Sequence, residues 1–236
     1  MPRPSRTHDA VDQLLDAIID GRLTAGEALP PEGELAVGYG VSRLTLREAV
    51  RILQAQGVIV QVPGSRHRIA PVEEWTGMEA VVRHARSAEQ RRRSSIELLE
   101  VRMMIETGAA QLAAERRDDA VVADLADALA RMQEHHDADD VPAFVVADLE
   151  FHDRIIRAAD NRILVAALRP LTTMLADTRA ETSAVPTIRE HALVEHARIL
   201  EAIREGDAEG ARAAMARHMA QTREDTIELV PEAEGA

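Results

Sequence analysis

Residues 29–57 read LPPEGELAVGYGVSRLTLREAVRILQAQG, two short helical patterns separated by Gly38 to Gly40. Pro30-Pro31 opens the first, where proline is tolerated in the first turn, and Leu35 and Ala36 form its inward face. Ser42 is a good N-cap for the second. Its Leu46, Ala49, Val50 and Leu53 recur at helical spacing, and Gly57 ends it. Two short helices joined by a tight glycine-containing turn predict a helix-turn-helix.

Upstream, Val11, Leu14, Leu15, Ile18 and Ile19 give a helix over 8–19 one apolar face, and Gly21 stops it. Downstream, VIVQVPGSRHRIA alternates and is rich in β-branched residues. Val62-Pro63-Gly64-Ser65 has the signature of a type II turn, so a two-stranded hairpin with Ser65, Arg66 and His67 at its tip is expected. Helix, helix-turn-helix and hairpin make a winged helix-turn-helix over 1–70. APVEEWTG, 70–77, breaks both periodicities, and 71–77 is read as a linker. From 78 to 230 only helical patterns follow: 78–92, 95–116, 119–136, 141–159, 162–181, 188–205 and 208–229. Arg91, Arg92 and Arg93 are expected at a helix C-terminus, where cations suit the dipole, and Pro170 should kink its helix. The predicted fold class is mainly α, a winged helix-turn-helix of three helices plus a β-hairpin followed by an all-α bundle.

Composition agrees. In 236 residues, 46% are hydrophobic and 29% charged, a globular balance. Only 2% are aromatic, so the core is aliphatic and a large β-sandwich is disfavoured. There is no cysteine, which excludes disulfides, thiol catalysis and cysteine-ligated metal. No apolar run approaches the ~18–20 residues that span a bilayer, and MPRPSRTHDA lacks a signal peptide's apolar stretch. A cytoplasmic protein without membrane association is expected. All 28 basic residues are Arg, and the net charge is −13. The charge is uneven: residues 41–70 hold Arg43, Arg47, Arg51, Arg66 and Arg68 against one acid, Glu48. A DNA-binding face needs only such a local stripe. The N-terminal end of the second helix of a helix-turn-helix enters the major groove. Ser42, Arg43, Thr45 and Arg47, with Arg66 on the wing, are the candidate DNA contacts. Arg can pair with guanine or clamp phosphate, and the hydroxyls can donate to phosphate.

In the helical part, Asp148 and His152 are i, i+4 on one predicted helix, and His196 and His218 lie on two later ones. One carboxylate and three imidazoles on three helices can surround a metal inside a bundle. Nine histidines give many accidental pairings, so from spacing alone solvated or core histidines are the more economical reading. Arg102 stands among apolar neighbours, and facing the interior it needs an anion. Glu106 at i+4 is one candidate and a bound carboxylate another.

The stretch 29–57 resembles the DNA-binding domain of the GntR family of bacterial repressors. The matching residues are Leu29-Pro30, Glu32, Glu34-Leu35-Ala36, Gly40-Val41-Ser42-Arg43, Thr45-Leu46-Arg47-Glu48-Ala49, Leu53 and Gly57. Gly33 departs from the pattern, since family members often carry Arg or Lys there that reaches DNA. LLEVRMMIETGAAQLAAERR, DLEFHDRIIRAADNRIL and LVEHARILEAIREGDAEGARAAMARHM resemble the C-terminal helical effector domain, FCD, of the FadR subfamily. That resemblance implies metal ligands Asp148, His152, His196 and His218 and a divalent Zn, Ni, Mn or Fe. It implies that Arg102 binds an effector carboxylate. His135, His136 and His191 match no ligand position and are expected at the surface.

The function so implied is a ligand-responsive, sequence-specific bacterial transcription regulator, a repressor more readily than an activator. It would bind a near-palindromic operator as a homodimer and be switched by a small organic acid at the metal. The rival is a metal-dependent enzyme with a DNA-binding appendage. Against an enzyme, there is no HExxH motif, and Glu150 lies between two ligands, pointing away from them. A third reading, an architectural DNA binder, predicts neither metal nor effector.

Overall fold

A computed structural model describes residues 6–64 and 66–230, which form two compact units dividing between Gln90 and Arg91. The first begins with α1 (Arg6–Ile19), α2 (Glu32–Gly38) and α3 (Arg43–Ala55). Leu14 and Leu15 of α1 pack with Leu46, Ala49, Val50 and Leu53 of α3 in one aliphatic core. Ser42 caps α3, its hydroxyl oxygen accepting from the Thr45 amide at 3.0 Å. β1 (Ile59–Val60) and β2 (Arg68–Ile69) pair antiparallel, Ile59 opposite Ile69 and Val60 opposite Arg68. Gly64 takes φ 71°, the positive value that the third position of a type II turn requires. Ser65, expected at the tip, lies outside the described residues.

The first unit extends past residue 70. Trp75, within the segment read as a linker, is 8% exposed, and its Nε1 donates to the Ala70 carbonyl at 3.0 Å. Gly57 explains the tight return. A Cβ there would stand 3.1 Å from the Glu74 carbonyl and the Thr76 amide, and its φ is 74°. α4 (Met78–Ala85) is held by Arg83, which donates to both Asp16 oxygens at 3.0 and 2.9 Å and also pairs with Asp12, so α4 is fastened to α1. The expected boundary at 70–77 is therefore corrected to 90–91, because an indole buried in the core outweighs local loss of periodicity.

The second unit holds α5 (Arg91–Glu115), α6 (Asp119–Asp137), α7 (Val141–Ala158), α8 (Arg162–Leu168), α9 (Thr172–Ser183), α10 (Pro186–Glu205) and α11 (Ala208–Glu228). α5 packs on α11 and α7, α6 on α7 and α10, α10 on α11, and α9 on α7. Ala109, Ala110, Ala113 and Ala114 are all buried along α5, so neighbouring helices approach closely. Phe144, Phe151, Ile155, Ile199, Ile203 and Met215 fill the centre. Gly206, in the left-handed conformation, ends α10, and Asp207 caps α11 through the Gly210 amide at 2.9 Å.

Two helix expectations change. The helix expected over 78–92 stops at Ala85, and Arg91–Arg93 open α5 instead of ending its predecessor. Arg92 still serves a helix C-terminus, donating to the carbonyls of Ile227 in α11's last turn and Val230 just past it. The pattern over 162–181 is two helices. Residues 169–171, with Pro170, form a 3-10 turn between α8 and α9, since proline cannot donate to the i−4 carbonyl.

Candidate metal centre and nucleic-acid face

On the first unit, the start of α3 carries Arg43, Leu44 and Arg47 at the surface, opposite its buried stripe. The Ser42 and Thr45 hydroxyls are 2.8 Å apart. One proton serves that bond and the other is free to donate. Arg47 lies 3.4 Å from Glu32 and is more than half exposed. The Arg43 guanidinium lies over Gly33, its Nη2 3.3 Å from where a Cβ would be. Gly33 thus leaves room for the Arg43 guanidinium. Arg66 is exposed on the wing.

In the second unit, α7 brings Asp148 and His152 inward one turn apart. α10 supplies His196 and α11 supplies His218, and all four are buried. The three imidazoles have ligand atoms within 4.8 Å of one another. His196 Nε2 is 3.1 Å from His152 Nε2 and 3.1 Å from Asp148 Oδ1, while His152 Nε2 is 3.8 Å from that oxygen. The far ring nitrogens have partners. His152 Nδ1 is 2.5 Å from Glu106 Oε2, and His196 Nδ1 is 2.5 Å from the Ala192 carbonyl. Both partners only accept, so both Nδ1 atoms carry protons, and in the neutral rings that bind a metal both Nε2 atoms present lone pairs. Two nitrogen lone pairs and a carboxylate oxygen aimed at one spot repel each other unless a cation sits among them. Ligands on bonds of ~2.1 Å stand ~3.0–3.4 Å apart; the two 3.1 Å spacings from His196 lie in that range, the 3.8 Å from His152 to Asp148 is longer, and the donor types suit a divalent metal. Carboxylate or carbonyl partners on the outer nitrogens are what a ligating histidine requires.

Charge around this centre is tightly balanced. Burial pushes His152 down to about 4, against the pull of the Glu106 carboxylate. Burial also lowers His218, helped by the charges of His196, His152 and Arg102. Burial alone would raise Glu106, but Arg102, His152 and Arg179 outweigh it and hold its carboxyl well below the usual range. Asp148 is held low in the same way, chiefly by Arg179 against burial. His152 and His218 are thus held neutral and Glu106 and Asp148 ionised, the states that bind metal.

Arg102 donates from Nε to Glu106 Oε1 at 2.7 Å, both nearly inaccessible. The ion pair weighed in the sequence is therefore present. Arg102 also lines a small cavity of about 30 Å³ with Phe144, Asp148, Arg179, Arg189 and His218. A larger cavity of about 390 Å³ is bordered by Glu106, His152, Ile156, Leu168, Leu175 and again Arg179. Glu150 turns to Arg131 at 2.6 Å.

Arg179 escaped the sequence reading. Its Nε pairs with Asp148, and its Nη1 is buried with no hydrogen-bond partner. The signal was there: Thr178, Arg179, Thr182 and Ser183 make a buried polar stripe on α9, where an apolar one is usual. Glu106, the i+4 partner of Arg102, also holds His152. His135, His136 and His191 are partly exposed, the His191 side chain by 42%. His136 accepts from Arg189 at 3.3 Å, and His191 lies 3.0 Å from the buried Asp225.

Among the described residues no helix is long and apolar enough to cross a membrane. Residues 6–69 match the profile of bacterial regulatory proteins of the gntR family, and residues 97–221 match the FCD domain. The chain is 31% identical to a putative L-lactate dehydrogenase operon regulatory protein of Escherichia coli K12, over 92% of this chain and 84% of that one. It is 29% identical to the HTH-type transcriptional regulator LutR of Bacillus subtilis, over 86% and 92% respectively. A Listeria monocytogenes structure of Lar, described as controlling expression of the agr system, shares the fold. Its TM-score is 0.63 at 21% identity, covering 97% of this chain and all of that one. A winged helix-turn-helix followed by an FCD domain, with relatives that are regulators along most of their length, places the chain in the GntR family of bacterial regulatory proteins, as a transcription regulator and not an enzyme.

Proposed function

We propose that this regulator binds a near-palindromic operator as a homodimer and acts as a repressor relieved by a small organic acid. Two recognition helices meeting two half-sites require a two-fold assembly. Arg43 and Arg47 would contact bases or phosphates, Ser42 and Thr45 would support a phosphate with their free hydroxyl proton, and Arg66 would reach the backbone from the wing.

The observation that carries the effector reading is the convergence of two Nε2 atoms and an Asp148 oxygen beside a small cavity lined by the buried Arg102, Arg179 and Arg189. Asp148, His152, His196 and His218 would hold a divalent Zn, Ni, Mn or Fe. When bound, such an ion supplies open coordination positions to carboxylate or hydroxyl oxygens. Arg102, kept in place by Glu106, presents its remaining donors to a carboxylate. Arg179 offers a further donor. A relative named for an L-lactate dehydrogenase operon supports a hydroxy acid. The bound state would reach the winged unit through residues 86–90, and operator affinity would change only if the acid prefers one arrangement of the units.

The test titrates L-lactate, L-malate and D-gluconate into metal-loaded and EDTA-treated protein by calorimetry, then repeats operator binding with each hit. Metal-dependent binding that weakens the operator complex at least ten-fold is expected, which needs ~1.4 kcal/mol of differential affinity. Protein that takes up no metal after loading refutes the centre. An acid that binds tightly yet leaves operator affinity unchanged is not the effector.

A further inference from the structure

Leu44 is 68% exposed, whereas among the described residues of the first unit every other leucine is buried in or packed against its core. With 3.6 residues per turn, Leu44 stands roughly opposite the stripe of Leu46, Ala49, Val50 and Leu53, so core packing gives no reason for it. A single exposed leucine is ordinary on a protein surface. The setting of this one is not. It is the second residue of α3, flanked by Arg43 and followed on the same side by Arg47 and Arg51. The one acid on that face, Glu48, is paired with Arg51 at 2.7 Å. Glu32 of α2 lies 3.4 Å from Arg47, so three arginines face two carboxylates, and the surface around the leucine carries a net positive charge on a chain of net charge −13, complementary to a polyanion. In the major groove of duplex DNA the apolar group displayed is the thymine 5-methyl.

We propose that Leu44 is a specificity residue that packs on a thymine methyl, fixing an A·T pair in each operator half-site. This rests on the operator reading above, with α3 as the recognition helix. The arginines supply affinity and orientation and can read guanine, while Leu44 reads the thymine methyl, an apolar group on which a charged side chain gains nothing.

The experiment selects duplexes from a randomised pool with full-length protein, then replaces each thymine of the selected site by uracil, which removes only the methyl group. One thymine per half-site should prove sensitive, its replacement weakening binding about three- to five-fold, the size expected for burying one methyl group. Leu44→Ala should bind the thymine and uracil duplexes equally. Leu44→Met, still apolar, should keep the preference. Both substitutions fall at one exposed position, and thermal melts confirm folding. Wild-type protein that selects no sequence refutes the operator reading itself, and the role of Leu44 falls with it. Selection of a defined site in which every uracil is tolerated, or in which Leu44→Ala keeps the same sensitivity, overturns the role of Leu44 alone.

Discussion

Glu106→Ala is the substitution through which the metal centre's design is most sharply tested. The carboxylate accepts from Arg102 Nε at 2.7 Å and from His152 Nδ1 at 2.5 Å, and all three groups are buried. Two separate losses follow. Arg102 becomes a buried cation without its partner, and removing one member of a buried pair costs about 3–5 kcal/mol. His152 loses the acceptor that fixes its tautomer and ring orientation, and such outer partners are worth about 10–100-fold in metal affinity. Urea unfolding of EDTA-treated protein reads the first, and competition with a chelator of known affinity reads the second. Replacing both Arg102 and Glu106 by leucine separates them. Stability should largely recover, since a well-packed apolar pair can replace a buried ion pair at little cost. Metal affinity should stay low because His152 remains unsupported. If Glu106→Ala retains wild-type metal affinity, the carboxylate does not orient His152 and the reasoning is wrong.

Three further outcomes are expected. In metal-free protein His152 stays neutral down to about 4, while in the unfolded chain it takes up a proton near its ordinary 6.5. The unfolded state thus binds more protons between these values, and stability falls as pH drops through that window, by about 3 kcal/mol in all. His152→Gln should abolish most of that slope in urea titrations at pH 7 and 4.5, and an unchanged slope would assign it elsewhere. Arg43→Ala and Arg47→Ala should each lower operator affinity by ~1–3 kcal/mol where a base contact is lost, or reduce the salt slope by about 0.9 where a phosphate contact is lost. Filter binding across a salt series distinguishes the two, and a double variant with unchanged affinity removes α3 from the interface. Arg179→Met, which keeps volume but removes the buried Nη1, should weaken hydroxy-acid binding measured by calorimetry at least ten-fold; equal binding would mean that this donor does not face the ligand.

Local rules decided much of this protein in advance. The Ser42 cap, the apolar stripe of α3 and the Pro63-Gly64 turn depend on residues within a few positions of one another, so the winged helix-turn-helix is readable from the chain. The same holds for Gly206 and Asp207 between α10 and α11. Asp148 and His152 are also local, since i, i+4 spacing forces them onto one face. What the sequence lacked was distance. Trp75 shows no periodicity, and only the core it enters reveals that its segment belongs to the first unit. Whether four scattered residues are ligands or solvated side chains depends on α7, α10 and α11 converging. Convergence is a property of aliphatic packing elsewhere in the bundle, not of the residues themselves. Arg179 makes the point most plainly: it is 31 positions from Asp148, and its polar helix reads as a surface segment until tertiary structure turns that stripe inward, against the centre it completes.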